Sequence, residues 1–332
     1  MTQDDLPPGP ATPADALSPP ADAAGGPAPA VASGNTLRAY AQDWADFSRW
    51  CRLQGRPLMP PAGEVVARYL SERAGTLGVA SLQRRLAGIG WGYRQRGLDL
   101  DRRDPGIAAA MRDIRNRHAR PPMQKAPVSG EEILAMAATL PRDLRGARDR
   151  AILLTGFAGA LRRSELVGLD RHRGNTAEGR GWVEILEDGA LVILHGKTGW
   201  REVEIGRGSS ERSCPVAALE RWLDLGRLDG GALFRRVSRD GRRPLAGRLN
   251  DRHIARLVKS TALAAGLRPD LPEAERAAVF SGHSLRAGLA NHSGLPEGEN
   301  QRQLGHALPE PGARDPQRPG RFRVNLTRAA GL

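Results

Sequence analysis

Apolar residues recur at helical spacing through the first third of the chain. Beginning at Asn35, whose side chain can cap a helix, Leu37, Tyr40, Trp44, Phe47 and Cys51 fall on one face. A second helix is predicted after Pro60-Pro61 with Val65, Val66, Tyr69 and Leu70 inward. A third carries Leu82, Leu86, Ile89 and Tyr93, and a fourth starts at Pro105 with Ile107, Met111 and Ile114. Helices this short need tertiary packing to persist, so together they predict a small bundle over residues 35–120. From Val128 the pattern is again mostly helical, interrupted by strand-like runs at 182–186, 190–194 and 200–205. Asp188-Gly189 and Gly196-Lys197-Thr198-Gly199 form the turns between them, which puts Lys197 at a hairpin tip. Helices resume at Cys214-Pro215, with Val216, Leu219 and Leu223 on one face, and near Asn250, with Ile254, Leu257 and Val258. The expected fold class is mainly α with a small antiparallel β-sheet: a helical N-terminal domain, a linker over 121–127, and a mixed α/β domain over 128–332. No internal repeat is present.

A chain of 332 residues is long enough for two such domains. Residues 1–34 do not join either, because Ala, Pro, Gly and Asp dominate and no aromatic or basic residue occurs there. That composition reads as a disordered tail. The net charge is +13, and Asp4, Asp5, Asp15 and Asp22 are the only charged residues before Asn35, so the rest of the chain carries +17. Such an excess fits a polyanionic partner, nucleic acid above all. Arg112, Arg115, Arg117 and Arg120 line the outer side of the fourth helix and run into the linker, which makes them candidates for a duplex-binding face. Cys51 and Cys214 give neither metal-ligand spacing nor a disulfide framework, no apolar run is long enough for a membrane span, and no leader-like segment opens the chain. A cytoplasmic, nucleoid-associated protein without metal or other cofactor is the expectation.

The candidate chemistry lies in four short motifs arriving in a fixed order. They are Leu161-Arg162-Arg163-Ser164-Glu165, then Gly196-Lys197-Thr198, then Gly282-His283-Ser284-Leu285-Arg286-Ala287-Gly288, then Leu304-Gly305-His306. His283 and Arg286 stand three apart, so on a helix they share a face and can reach one anion together. Gly-Lys-Thr is not a phosphate-cradling P-loop, since the upstream glycine is missing at the required spacing. In this order the motifs resemble the catalytic half of the tyrosine recombinase, or phage integrase, family, which cuts and rejoins DNA through a phosphotyrosine without a metal. The N-terminal bundle is similar to that family's core-binding domain. The resemblance implies that Arg162 and Arg286 grip the scissile phosphate and that Glu165 orients its arginine. It further implies that Lys197 protonates the leaving oxygen and that His283 and His306 serve as proton or hydrogen-bond donors. The implied partners are duplex DNA and further recombinase protomers, either copies of this chain or an active relative. The two domains would close on the duplex as a clamp.

One group is missing from the pattern. The family keeps its nucleophilic tyrosine beyond the last histidine, whereas the tyrosines here are Tyr40, Tyr69 and Tyr93, and the region after His306 offers Ala313, Arg314, Asp315 and Pro316 instead. After Ser293 the only hydroxyl side chain is Thr327, a poor substitute because its alkoxide is far harder to form than a phenolate. Residues 291–320 are atypical throughout, rich in Pro, Gly and Arg and lacking an apolar period, whereas Arg321 to Leu326 again looks like the end of a recombinase. Three readings stand open on the sequence: a recombinase with impaired catalysis, a noncatalytic DNA-binding protein, or the product of a decayed mobile-element gene.

Overall fold

The computed structural model describes residues 34–118, 124–196, 199–291, 322 and 324–332. The expected disordered tail, Lys197, His306, Arg120 and nearly all of the atypical 291–320 stretch lie outside them. The chain divides into two compact units, residues 1–122 and 123–332.

Unit 1 is a four-helix bundle of α1 (Gly34–Leu53), α2 (Gly63–Arg73), α3 (Val79–Arg94) and α4 (Pro105–His118). The main packing is α1 on α3 and α2 on α4. Gly92 lets the first pair approach, because a Cβ there would lie 2.1 Å from the Trp44 ring. Phe47, Val66, Tyr69, Leu70, Leu82, Ile89 and Ile107 are essentially inaccessible, as the helical periodicity required. The expected stripe on α1 needs two corrections. Leu37 is 37% exposed, one turn too early to meet α3, and Asn35 lies inside the first turn rather than capping it. Trp50 is buried instead, its indole N–H donating to Glu72 at 2.8 Å. Asp43 is also buried, and burial pushes its carboxyl pKa up against the pull of Arg84 and Arg85.

Unit 2 is built on a helix buried on all sides. Every residue from Ala151 to Ala158 of α6 (Leu144–Ala158) is inaccessible, so this helix is wrapped rather than amphipathic. Around it stand α5 (Gly130–Ala138), α8 (Pro215–Gly226) and α11 (Gly282–Ala290). Caps fix the helix starts: Ser129 and Glu132 form a reciprocal capping box on α5, and the Asp143 carboxylate accepts from Gly146 N–H on α6. The sheet runs in order β1 (Leu169–Asp170), β2 (Gly181–Ile185), β3 (Gly189–Gly196), β4 (Gly199–Gly206). The three expected strands pair antiparallel, and the short β1 adds one parallel neighbour to β2. Val192, Leu194, Val203 and Ile205 face the core, while Trp182, Leu191 and Ile193 form a small cluster on the other face. After the connecting helix α7 (Arg163–Gly168), which precedes the sheet, and a two-stranded ribbon, β5 (Arg235–Val237) with β6 (Pro244–Arg248), come α9 (Asp251–Ala264) and α10 (Glu273–Val279). The final helix α12 (Leu326–Ala329) closes unit 2 by returning to β4, with Leu326, Ala330 and Leu332 buried.

The bundle's dependence on α1 is directly measurable. Phe47→Ala is expected to destabilise unit 1 by about 3–5 kcal/mol through the cavity it leaves. Leu37→Ala, on the same predicted stripe, is expected to change stability by no more than about 0.5 kcal/mol. Urea unfolding followed by tryptophan fluorescence checks both, and equal effects would contradict the exposed placement of Leu37.

Candidate functional site

The site forms where α6 ends. Its C-terminus turns through Ala160, held in left-handed backbone (φ 46°), into Arg162, the N-cap of α7. Glu165 reaches back one turn and accepts a hydrogen bond from the Arg162 backbone N–H at 2.7 Å, which closes the first turn of this short helix. Its other oxygen accepts from the Arg162 guanidinium, also at 2.7 Å. A second guanidinium arrives from the sheet: Arg201 of β4 donates to Glu165 at 2.7 Å with only 8% of its side chain exposed. One carboxylate thus binds two arginines and a backbone amide.

The third guanidinium comes from α11. Ser281 caps this helix, its hydroxyl accepting from His283 N–H at 3.1 Å. One turn on, Arg286 donates to the Ala160 carbonyl at 2.8 Å, which ties α11 to the α6–α7 corner. Gly282 permits the approach, because a Cβ there would sit 2.2 Å from the aliphatic stem of Arg163. Arg162 is 56% exposed, Arg286 half-buried, and His283 exposed in the first turn of α11.

The electrostatics follow from three cations around one anion. Burial, then the charges of Arg162 and Arg201, push the Arg286 pKa down to about 10 against the opposing pull of Glu165, so the group is protonated at neutral pH. Burial likewise lowers Arg201, with Arg162 adding to it and Glu165 opposing. Glu165 is the reverse case. Burial disfavours its charge, yet Arg201 and the bonds from Arg162 outweigh that and hold its carboxyl below the ordinary range. The corner therefore brings three guanidinium groups from separate elements around one carboxylate, and such planar forks suit bidentate binding of an anion.

Of the residues singled out from sequence, Arg162, Glu165 and Arg286 meet here, and His283 lies exposed one turn before Arg286 on α11. β3 and β4 pair up to Gly196 and Gly199, the residues flanking Lys197-Thr198. Lys197 and His306 lie outside the described residues, as does Arg120. Arg112, Arg115 and Arg117 are exposed on α4, in the other unit, and Arg117 is engaged by Asp113 at 2.7 Å. Sequence reasoning missed Arg201, although alternation along Trp200-Arg201-Glu202-Val203-Glu204-Ile205 puts it in phase with inward Val203 and Ile205. It also missed Arg248, which donates to the carbonyls of Val167 at 2.6 Å and Leu169 at 2.9 Å and pairs with buried Asp170. Nothing in its local pattern marked that anchor. Among the described residues no group of His, Cys, Asp or Glu could hold a metal ion, and no helix is long and apolar enough to cross a membrane.

The chain matches no protein-family model. It is 32% identical over 263 residues to an integrase/recombinase XerD homologue of Selenomonas ruminantium, covering 77% of this chain and 72% of the relative. It is 28% identical over 289 residues to tyrosine recombinase XerD of Caulobacter vibrioides, covering 83% of this chain and 84% of the relative. Among solved structures, residues 75–356 of lambda integrase bound to DNA align with a TM-score of 0.50 and 15% identity, over 83% of this chain and 85% of that one. A lambda integrase tetramer bound to a Holliday junction gives 0.51 and 15%, over 83% and 70%. At these identities the structural likeness is one of fold.

Glu165→Gln is expected to destabilise unit 2 by about 3 kcal/mol at neutral pH, because it strands Arg201 without its carboxylate. The sign of the pH dependence is fixed by a folded-state pKa below the unfolded one: the contribution is present above the ordinary Glu range and is lost as pH falls through the depressed value. Denaturant midpoints of parent and variant should therefore converge in acid. A gap that stays constant down to about pH 2 would show that the carboxylate charge is not what holds the corner.

Proposed function

The chain belongs to the tyrosine recombinase family, and from that membership and the arginine corner we propose that it binds duplex DNA and holds a backbone phosphodiester without cutting it. The observation that supports this reading is the convergence of Arg162 and Arg201 on the single carboxylate of Glu165, with Arg286 held at the same corner by the Ala160 carbonyl and lowered in pKa by the charges of both arginines. Arg162 and Arg286 donate to the nonbridging oxygens, where negative charge would grow on the way to a pentavalent phosphorus. By the family resemblance, exposed His283 would supply a further donor, and Lys197 and His306 match the positions of the leaving-group acid and second imidazole in a cutting member.

The attacking group is what this chain lacks. Tyr69 and Tyr93 are fully buried in unit 1, the first donating to Asp46 at 2.7 Å and the second to the Leu58 carbonyl at 2.9 Å. Burial pushes both phenols up to about 12, away from the phenolate that attack requires. Tyr40 is half-buried against Trp91, with ring centroids 6.3 Å apart. Thr327, the last hydroxyl of the sequence, is a buried residue of α12, 1% exposed, and is closed off from a substrate. The protein accordingly acts as an occupant of recombination sites, alongside further copies or an active relative, and its place is on DNA. A second reading, gene decay, is favoured by the contrast between the atypical 291–320 stretch and the residues after it, which still dock into the core through Leu326, Ala330 and Leu332. Reading the gene in all frames tests it: a tyrosine codon in another frame across this stretch supports decay.

Incubated with a nicked suicide duplex, the chain is expected to give no denaturant-resistant protein–DNA band. A band mapped to Tyr40, Tyr69 or Tyr93 would make it an active enzyme with a relocated nucleophile. Binding itself should be strongly salt-dependent. Arg112→Ala with Arg115→Ala is expected to flatten the slope of log affinity against log salt by roughly one unit for each phosphate no longer neutralised. Arg117→Ala should add less, since Asp113 already engages it. An unchanged slope in the triple variant would remove α4 from the DNA surface.

A further inference from the structure

The arginines of unit 1 are treated differently on the two sides of α1. On one side Arg84 and Arg85 pair with Asp43, while Asp46 takes Arg85 and, at 3.4 Å, Arg73. On the other side Arg49 and Arg52 of α1, Arg56 just beyond it and Arg96 after α3 surround a cavity of about 680 Å³. Among the described residues no carboxylate forms an ion pair with any of these four. Arg96 donates to the Gly92 carbonyl at 2.8 Å and lies 4.4 Å over the Trp44 ring, which keeps its charge at the cavity wall. Trp44, Cys51 and Leu58 supply an apolar floor, and the Ser48 hydroxyl is buried there with no hydrogen-bond partner among the described residues. Four like charges around a concave, partly apolar surface create a focused positive potential that only an anion relieves. An orphaned buried hydroxyl adds a polar group awaiting a partner.

We propose that the acidic N-terminal segment of the same chain, residues 1–33, docks in this arginine cavity and shields it. The segment carries Asp4, Asp5, Asp15 and Asp22, no basic residue, and is otherwise dominated by Ala and Pro with Leu6, Leu17 and Val31 among them, so its carboxylates match the rim and its apolar residues match the floor. Reach is sufficient. The helical path from Gly34 to Arg52 is about 27 Å at 1.5 Å per residue, and the residues from Asp22 to Gly34 span up to about 40 Å when extended. Tethering raises the effective concentration of the carboxylates at the cavity. A duplex backbone is the less suited occupant, because a convex rod cannot bring its phosphates against the apolar floor between Trp44 and Leu58. The docking does not depend on whether the chain binds DNA, so it stands or falls apart from the function proposed above.

Arginine modification of the full chain with phenylglyoxal, mapped by mass spectrometry in low salt without DNA, tests the docking. Arg49, Arg52, Arg56 and Arg96 are expected to react roughly three- to tenfold more slowly than in a variant carrying Asp→Asn at positions 4, 5, 15 and 22. Arg112 and Arg115, exposed on α4, should react alike in both proteins. Protection should vanish in high salt, where exposed pairs are screened. The reciprocal measurement uses Asp-N protease on the segment: replacing Arg49, Arg52, Arg56 and Arg96 by Gln should speed cleavage at the four aspartates by a similar factor. Equal arginine reactivity in parent and Asn variant overturns the proposal, as does cleavage indifferent to the four arginines. Protection that fades on protein dilution assigns the segment to a neighbouring copy and overturns the intramolecular form. Protection that appears only when duplex is added, and equally in both proteins, makes DNA the occupant and overturns it as well.

Discussion

Three guanidinium groups cannot share a corner without a counter-charge, and Glu165 is the one that allows it. Its carboxylate receives Arg162 through both side chain and backbone and receives Arg201 from the sheet. Helix α7 is six residues long and has no independent stability. The pairing that organises charge therefore also starts the helix, and the same bonds attach β4 to it. Arg286 joins from α11 by donating to the Ala160 backbone carbonyl, which fixes its guanidinium at the same corner. An arrangement that only cancelled charge would have stabilised the fold more and done nothing for anions.

Burial on all sides of α6 makes that corner rigid. The helix ends in the left-handed turn at Ala160, and packing from α5, α8 and α11 leaves the turn no room to relax. Left-handed backbone in a residue with a Cβ is costly and persists only where its surroundings enforce it. Here it turns the Ala160 carbonyl towards Arg286 and starts Arg162 on its course away from the core. The close approach of Gly282 to Arg163 sets the spacing from the other side.

Much of this was legible from residue order alone. The apolar periods of α2, α3 and α4 named the bundle core, because a helix that buries one face repeats every three to four residues. The strand pairing followed from the same logic at period two. Leu37 misled because periodicity gives a face but not where the neighbouring helix ends, and Trp50 was overlooked because a buried face is wider than a single stripe. Arg201 was readable in principle from its inward phase. Arg248 was not, since its partners are main-chain carbonyls and an aspartate far away in sequence, and such pairings leave no local trace. The arginine cavity of unit 1 was equally hidden, being assembled from two helices and a connection, with its distinguishing property the lack of any ion pair to its arginines among the described residues.

Placing the arginine corner at the end of a helix enclosed on all sides has a thermodynamic consequence. Backbone opening there is not a local event. The amides of Leu153 to Phe157 can exchange only when the surrounding core separates, so the corner belongs to the slowest cooperative part of unit 2. A ligand that binds the closed corner and has no affinity for the unfolded chain then raises the stability of the whole unit by RT ln(1 + [L]/Kd), with no subglobal opening to dilute the effect. Occupancy of the site is thereby recorded in melting temperature and in hydrogen exchange far from the ligand, whether or not any bond is ever cut.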